Sequence, residues 1–269
     1  MDADALVLRE GDRVRASGRL VRTSQGDWFE PPLWVAGPDG VERRVRPAWR
    51  GAVPVVGADF GQLANRFERD GAVEGWAMIT GIWSGEQLEA EQQATPPPRS
   101  APRPRWVIPP CLPPPEGWPE VIPRGDILLD YDLGDLLDTG AAVAVTLFRP
   151  GPNQTVLVVA ADDVTAVEAR LRPQLGGSLC IVPSRWTKAQ LDAVRDHLRD
   201  HQEQWSICGS GPQNTDDGQA HMAARLVRVL LAIATWATSL PQDILLLEPW
   251  LMPLRAAPTK AAMGSDLLV

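Results

Sequence analysis

Hydrophobic and polar positions alternate with period two over residues 11–22. Val14, Ala16, Gly18 and Leu20 face one way, and Arg13, Arg15, Ser17 and Arg19 face the other. That is the pattern of a half-buried strand. Gln25-Gly26-Asp27 is a turn signal, and a second strand is predicted around Trp28 to Ala36. Gly37-Pro38-Asp39-Gly40 marks another turn, followed by a strand from Val41 to about Val56. Phe60, Leu63, Ala64 and Phe67 then recur at i, i+3, i+4 and i+7, which predicts a short helix over 58–70. Two more strands, about 74–83 and 86–92, meet at Ser84-Gly85. Three strands, a helix and two strands is the element order of a five-stranded OB-type barrel, with an SH3-like or other small barrel as the alternative.

Residues 93–124 hold twelve prolines, in runs such as Pro96-Pro97-Pro98 and Pro113-Pro114-Pro115. Proline cannot join a ladder or a helix interior, so this segment is expected to be extended and semi-rigid. It also carries Trp106, Val107, Ile108 and Trp118. Such side chains suit a strap packed along a domain surface; a docking peptide for a partner is the functional alternative.

Beyond the linker an acidic stretch leads into an apolar run from Ala141 to Phe148. Thr155 to Ala160 is a continuous β-branched run, the mark of a strand buried on both faces. Asp162 or Asp163 is placed to cap a helix reaching about Leu171, and Leu179 to Val182 is a further buried strand. Thr187 and Gln190 form a capping box opening a helix to about His201. A short strand at 205–208 and a loop from Gly209 to Gly218 follow. Met222, Leu226, Val229, Leu230, Ile233, Trp236, Ala237 and Leu240 form one stripe at helical spacing, predicting a long helix that ends before Pro241. A last strand is expected at 244–247. No internal repeat is visible.

The fold class expected is therefore α+β with two domains. An OB-like five-stranded β-barrel domain spans 1–92, a proline-rich linker 93–124, an α/β sandwich domain 125–254, and a loose tail 255–269.

Composition changes this picture in four ways. The net charge of −8 argues mildly against non-specific nucleic-acid binding by the whole chain. The basic residues are nearly all Arg, and with abundant Ala, Pro and Gly they point to a GC-rich, bacterial genome. Eleven Trp against one Tyr makes the chain tryptophan-rich. Cys111, Cys180 and Cys208 are odd in number and show no paired spacing, so a reducing, cytoplasmic compartment is expected. The start of the chain lacks the features of a signal peptide, and no apolar run is long enough to suggest a membrane span.

Four groups of residues are candidates for chemistry. Residues 9–50 hold nine Arg against six acidic residues, whereas 59–91 hold two against seven. The basic face of Arg13, Arg15, Arg19, Arg44 and Arg46, with Trp28 and Trp34 nearby, has the groove-plus-aromatic character of single-strand nucleic-acid binders. A solvated face of Arg–carboxylate pairs is the preferred competing reading. Asp162 and Asp163, then Ser184, Arg185 and Trp186, then Gly209 and Gly211, each follow a buried strand. If those strands are parallel, the three loops share the sheet edge where open α/β sheets bind small ligands. Ordinary capping and turn chemistry explains the same residues.

The remaining two groups are weaker. Asp126, Asp130, Asp132, Asp135 and Asp138 read as a solvated acidic segment. His197 and His201, four apart on a helix, lack a catalytic Glu between them and read as exposed histidines. No metal site and no cofactor are expected. No nucleophile elbow, Walker loop or dinucleotide fingerprint is present, so the chain is expected to lean away from catalysis. The function expected is a binding or adaptor protein that acts through protein–protein contacts. Single-stranded nucleic-acid binding and a ligand or enzyme site at the sheet edge are the alternatives.

Overall fold

The computed structural model describes residues 3–32, 35–36, 42–43, 51–69, 71–96, 108–120 and 133–255. Among them the chain is mixed α+β, mostly sheet, with four α-helices.

The alternating segment at the start forms β1 (Arg13–Thr23), whose apolar set points inward as its period requires. It is followed by β2 (Gly26–Glu30), the two-residue pair β3 (Val35–Ala36) and β4 (Glu42–Arg43), and β5 (Val53–Val56). After these come β6 (Ala64–Arg69), β7 (Ala72–Trp83) and β8 (Leu88–Ala94). Five of the strands close a ring in the order β1-β2-β5-β8-β7 and back to β1. All the neighbours in it are antiparallel except β5 and β8, which run parallel.

The helix predicted over 58–70 is not formed. A single 3-10 turn spans Phe60–Gln62, started by Asp59 accepting from Gly61 N, and β6 then pairs antiparallel with β7. Of the four residues at helical spacing only Phe60 is buried. With so little apolar area to bury on a helical face, pairing with the β7 edge satisfies the backbone instead.

The ring encloses Val14, Ala16, Leu20, Phe29, Val53, Val55, Ala77, Ile79 and Leu88. The other end of the chain completes this core. Val227 and Leu251 are buried in it, and β15 (Met252–Pro253) pairs with the start of β1. Trp250 lies against Phe29, with ring centroids 4.8 Å apart, and its Nε1 donates to Ser17 O at 2.8 Å. Gly18 makes room for this: a Cβ there would stand 2.3 Å from the Glu30 carbonyl oxygen and 2.9 Å from the Trp250 ring.

After the proline-rich segment, helix α1 (Leu133–Thr139) leads into β9 (Ala142–Gly151) and β10 (Gln154–Ala161). Helix α2 (Val164–Leu175) then leads to β11 (Leu179–Pro183). Strand β10 is antiparallel to β9 and parallel to β11. Helix α3 (Lys188–Asp200), opened by the Thr187–Gln190 capping box, connects to a second unit of the same plan. In it β12 (Ile207–Asn214) is antiparallel to β13 (Ala220–Leu226). Helix α4 (Leu231–Ser239) follows, and then β14 (Leu245–Pro249), parallel to β13.

Two expectations are corrected here. The predicted helix over 222–240 is strand β13 followed by the shorter α4. Nearly every residue of β13 is buried, and a strand buried on both faces carries no period to set it apart from a helix. The predicted loop at 209–218 is instead most of β12, residues 209–214, and a turn.

Candidate functional site

Strand alternation puts Arg13, Arg15 and Arg19 on the outer face of the ring, but each is engaged. Arg13 Nε lies 2.9 Å from Glu91, and Arg15 Nε donates to Thr80 Oγ1 at 3.2 Å. Arg19 is sandwiched by two carboxylates. Its Nε donates to Glu30 Oε2 at 2.8 Å, and Nη1 pairs with Glu74. The Arg19 side chain is 16% exposed, and both glutamates are 12% exposed. Burial raises the pKa of Glu30, against the opposing pull of the Arg19 guanidinium. Arg22 pairs with Asp27 at 2.8 Å and lies 4.0 Å over the Phe60 ring. Trp28 is half-buried on β2. Trp34, Arg44 and Arg46 lie outside the described residues. Arg13, Arg19 and Arg22 are thus paired with carboxylates, whereas Arg15 bonds to a neutral hydroxyl.

At the second candidate, parallel β10 and β11 bring Asp162 and Asp163 to the same sheet edge as Ser184, Arg185 and Trp186. Asp163 caps α2 by accepting from Ala166 N at 2.9 Å. Ser184 N bonds to Ala161 O at 2.7 Å, and Ser184 Oγ donates to Trp186 O at 2.7 Å. The turn after β12 folds onto this loop. Arg185 pairs with Asp217 at 2.7 Å, and Gln219 accepts from Arg185 N while donating to Pro183 O. Burial pushes the Asp217 pKa up, but hydrogen bonds from Thr215 and Gln219 and the Arg185 charge hold the carboxyl below its usual value. Gly209 and Gly211 are not part of this edge loop; they pair with Arg225 and Ala223 inside β12. Of the acidic segment, Asp135 and Asp138 lie on α1, and Asp126, Asp130 and Asp132 fall outside the described residues.

The histidines are not free on a solvated face. His197 stacks on Trp236 with centroids 4.3 Å apart, and His201 stacks on Trp205 at 4.4 Å. The two imidazoles are 4.2 Å apart. The i, i+4 spacing was legible in the sequence, but the distant Trp236 was not. Desolvation and then His201 lower the pKa of His197, against Asp200. His221, which is buried on β13, is also lowered by desolvation, against Glu248, Asp217 and Asp243.

A folded-state pKa below the unfolded value of about 6.5 means that the unfolded chain binds protons first on acidification. The contribution of these two histidines is therefore fully present above about pH 6.5 and is lost as pH falls below it. The melting temperature is expected to drop between about pH 7 and pH 5. A His197→Phe/His221→Leu variant should show a shallower decline. An identical decline in that variant would assign the pH dependence to other groups.

The feature with the largest departure from expectation is the proline-rich segment. Cys111 and Cys180 form a disulfide, with Cα atoms 5.7 Å apart across a sequence separation of 69 residues. The expectation of unpaired cysteines is corrected, and a reducing compartment loses the support it drew from them. Separation along the chain hid the pair; only the fold brings Cys111 beside β11.

Residues 108–120 lie as a strap over the β9–β11 sheet. Cys111 and Trp118 pack on Phe148, Val156, Val158 and Cys180. Gln154 Nε2 donates to Trp118 O at 2.9 Å, and Glu120 bridges to Gln154. Ile108 and Leu112 point away from this contact and are 79% and 91% exposed. Beside them an open cleft of ≈ 240 Å³ runs between the strap and α2, lined in part by Leu112, Pro113, Trp118, Glu168 and Arg172.

No known protein family, curated protein or solved structure matches the chain. Among the described residues, no helix is long and apolar enough to cross a membrane.

Proposed function

We propose that this chain is a binding or adaptor protein whose partner is another protein, and that the strap is the contact surface. The observation that carries this is the display of Ile108 and Leu112 on a segment fixed at one end by a disulfide and at the other by Trp118 and Glu120. Exposed aliphatic side chains on a pre-ordered proline-rich backbone lose little entropy on docking, and covering them with a partner removes apolar surface from water. The five-strand ring, with its parallel closing pair, supports an OB-like barrel in which β6 stands where such folds carry a helix. The strap then joins that barrel to an α/β unit. Arg13 and Arg19 are already paired with carboxylates, which disfavours the outer face of the ring as a phosphate-binding surface.

The test is an Ile108→Glu/Leu112→Glu variant. Both side chains are solvent-exposed, so the melting temperature is expected to stay within a few degrees of wild type. Proteins that co-purify with wild type at stoichiometric level are expected to be lost. In parallel, anisotropy with a fluorescent single-stranded oligonucleotide at low salt is expected to show no binding. Retention of the same partners by the variant would remove the strap from the interface. Salt-sensitive oligonucleotide binding would replace this reading with the nucleic-acid one.

A further inference from the structure

We propose that the Cys111–Cys180 disulfide is a redox clasp: a dithiol reaches Cys111 through the cleft beside α2, and opening the bond releases the 108–120 strap from the β9–β11 sheet. The two ends of the strap are held by different means. Its C-terminal end is tied by the Gln154–Trp118 hydrogen bond and the Glu120 bridge. Prolines fill much of the rest and have no N–H to donate. The backbone hydrogen bond at Gly117 runs to Pro114, inside the strap itself. The N-terminal end is pinned covalently at Cys111.

The two sulfurs differ in access. Both cysteines line the cleft, but Cys111 is half-exposed whereas Cys180 is 1% exposed. An incoming thiolate therefore attacks Cys111 Sγ. The S–S bond breaks, a mixed disulfide forms on Cys111, and Cys180 leaves as a thiolate that takes up a proton. The second thiol of the reductant then displaces Cys111. The reductant departs as a disulfide, and two electrons have passed to the protein. Arg172 lines the same cleft and donates to Leu179 O at 2.9 Å, the carbonyl just before Cys180. Release uncovers Phe148, Val156 and Val158, which are otherwise buried under the strap. The clasp is independent of any partner, so its readouts need none.

The experiment compares the full chain in oxidised and dithiothreitol-reduced form, using cleavage after Glu116 by a glutamate-specific protease. Reduction is expected to raise the Glu116 cleavage rate about tenfold or more beyond the rise at Glu168 and Glu203, which report the loss of global stability. Iodoacetamide is expected to label Cys111 in the reduced form well before Cys208, whose thiol is pushed up to about 11 by burial. A Cys111→Ala variant in oxidising buffer should cleave like the reduced wild type. Equal Glu116 cleavage in both redox forms would overturn the clasp, because the strap would then stay docked on packing alone. A rise of the same size at Glu168 and Glu203 would also overturn it, because the opening would then be global.

Discussion

Replacing Arg19 with methionine is expected to lower stability by about 3–5 kcal/mol at neutral pH, the usual cost of leaving a buried charge unpaired. Methionine keeps the apolar stem but removes the guanidinium that holds Glu30 and Glu74. Two carboxylates then face one another in a site where each is 12% exposed. Burial already raises the Glu30 pKa with Arg19 in place, and without that cation the rise is unopposed.

A raised folded-state pKa sets the sign of the pH dependence. Below the unfolded glutamate value of about 4.3, both states are protonated and the penalty vanishes. The penalty grows as pH rises above that value and is complete above the folded pKa. Urea denaturation should therefore show a large drop in midpoint for Arg19→Met at pH 7 and a much smaller one near pH 4, with unchanged slope. Equal losses at both pH values would mean that the guanidinium acts through packing. The same geometry makes charge reversal at Arg19 a poor probe of nucleic-acid binding, since it attacks the fold first.

The second large effect concerns the disulfide. A Cys111→Ala/Cys180→Ala variant is expected to be roughly 4 kcal/mol less stable than the oxidised wild type. That is what the chain-entropy model assigns to a loop closed across a separation of 69 residues. Reduced wild type should lie close to the variant, because both lack the cross-link and alanine keeps the Cys180 site apolar. Denaturant midpoints of the three forms measure this. If all three agree within about 1 kcal/mol, the cross-link does not restrict the unfolded chain.

Local patterns carried much of the fold. The alternation over β1 placed Val14, Ala16 and Leu20 inward, as found. The Thr187–Gln190 capping box opens α3 as its residues require, and the β-branched run of β10 is buried on both faces. These are short-range consequences of side-chain period and backbone hydrogen bonding, so a sequence displays them directly. Legibility failed where two local answers are close in energy. Residues 64–69 and 220–226 have apolar spacing compatible with a helix. Each is a strand because a neighbouring edge, β7 in one case and β12 with β14 in the other, satisfies its backbone. The repeated plan of β9–β10–α2–β11 and β12–β13–α4–β14 likewise left no sequence repeat.

By itself the sequence determined the alternation of β1, the capping of α2 and α3, and the presence of a proline-rich strap bearing apolar side chains. Tertiary structure alone decided the ring closure of β1 on β7, the entry of Trp250 and Leu251 into the ring core, and the meeting of His197 with Trp236. It also decided the pairing of Cys111 with Cys180 and of Arg19 with Glu74. The physical reason is range. Period and capping act within a few residues, whereas these contacts join groups tens to hundreds of residues apart, and only the whole folded chain outweighs the entropy of bringing them together.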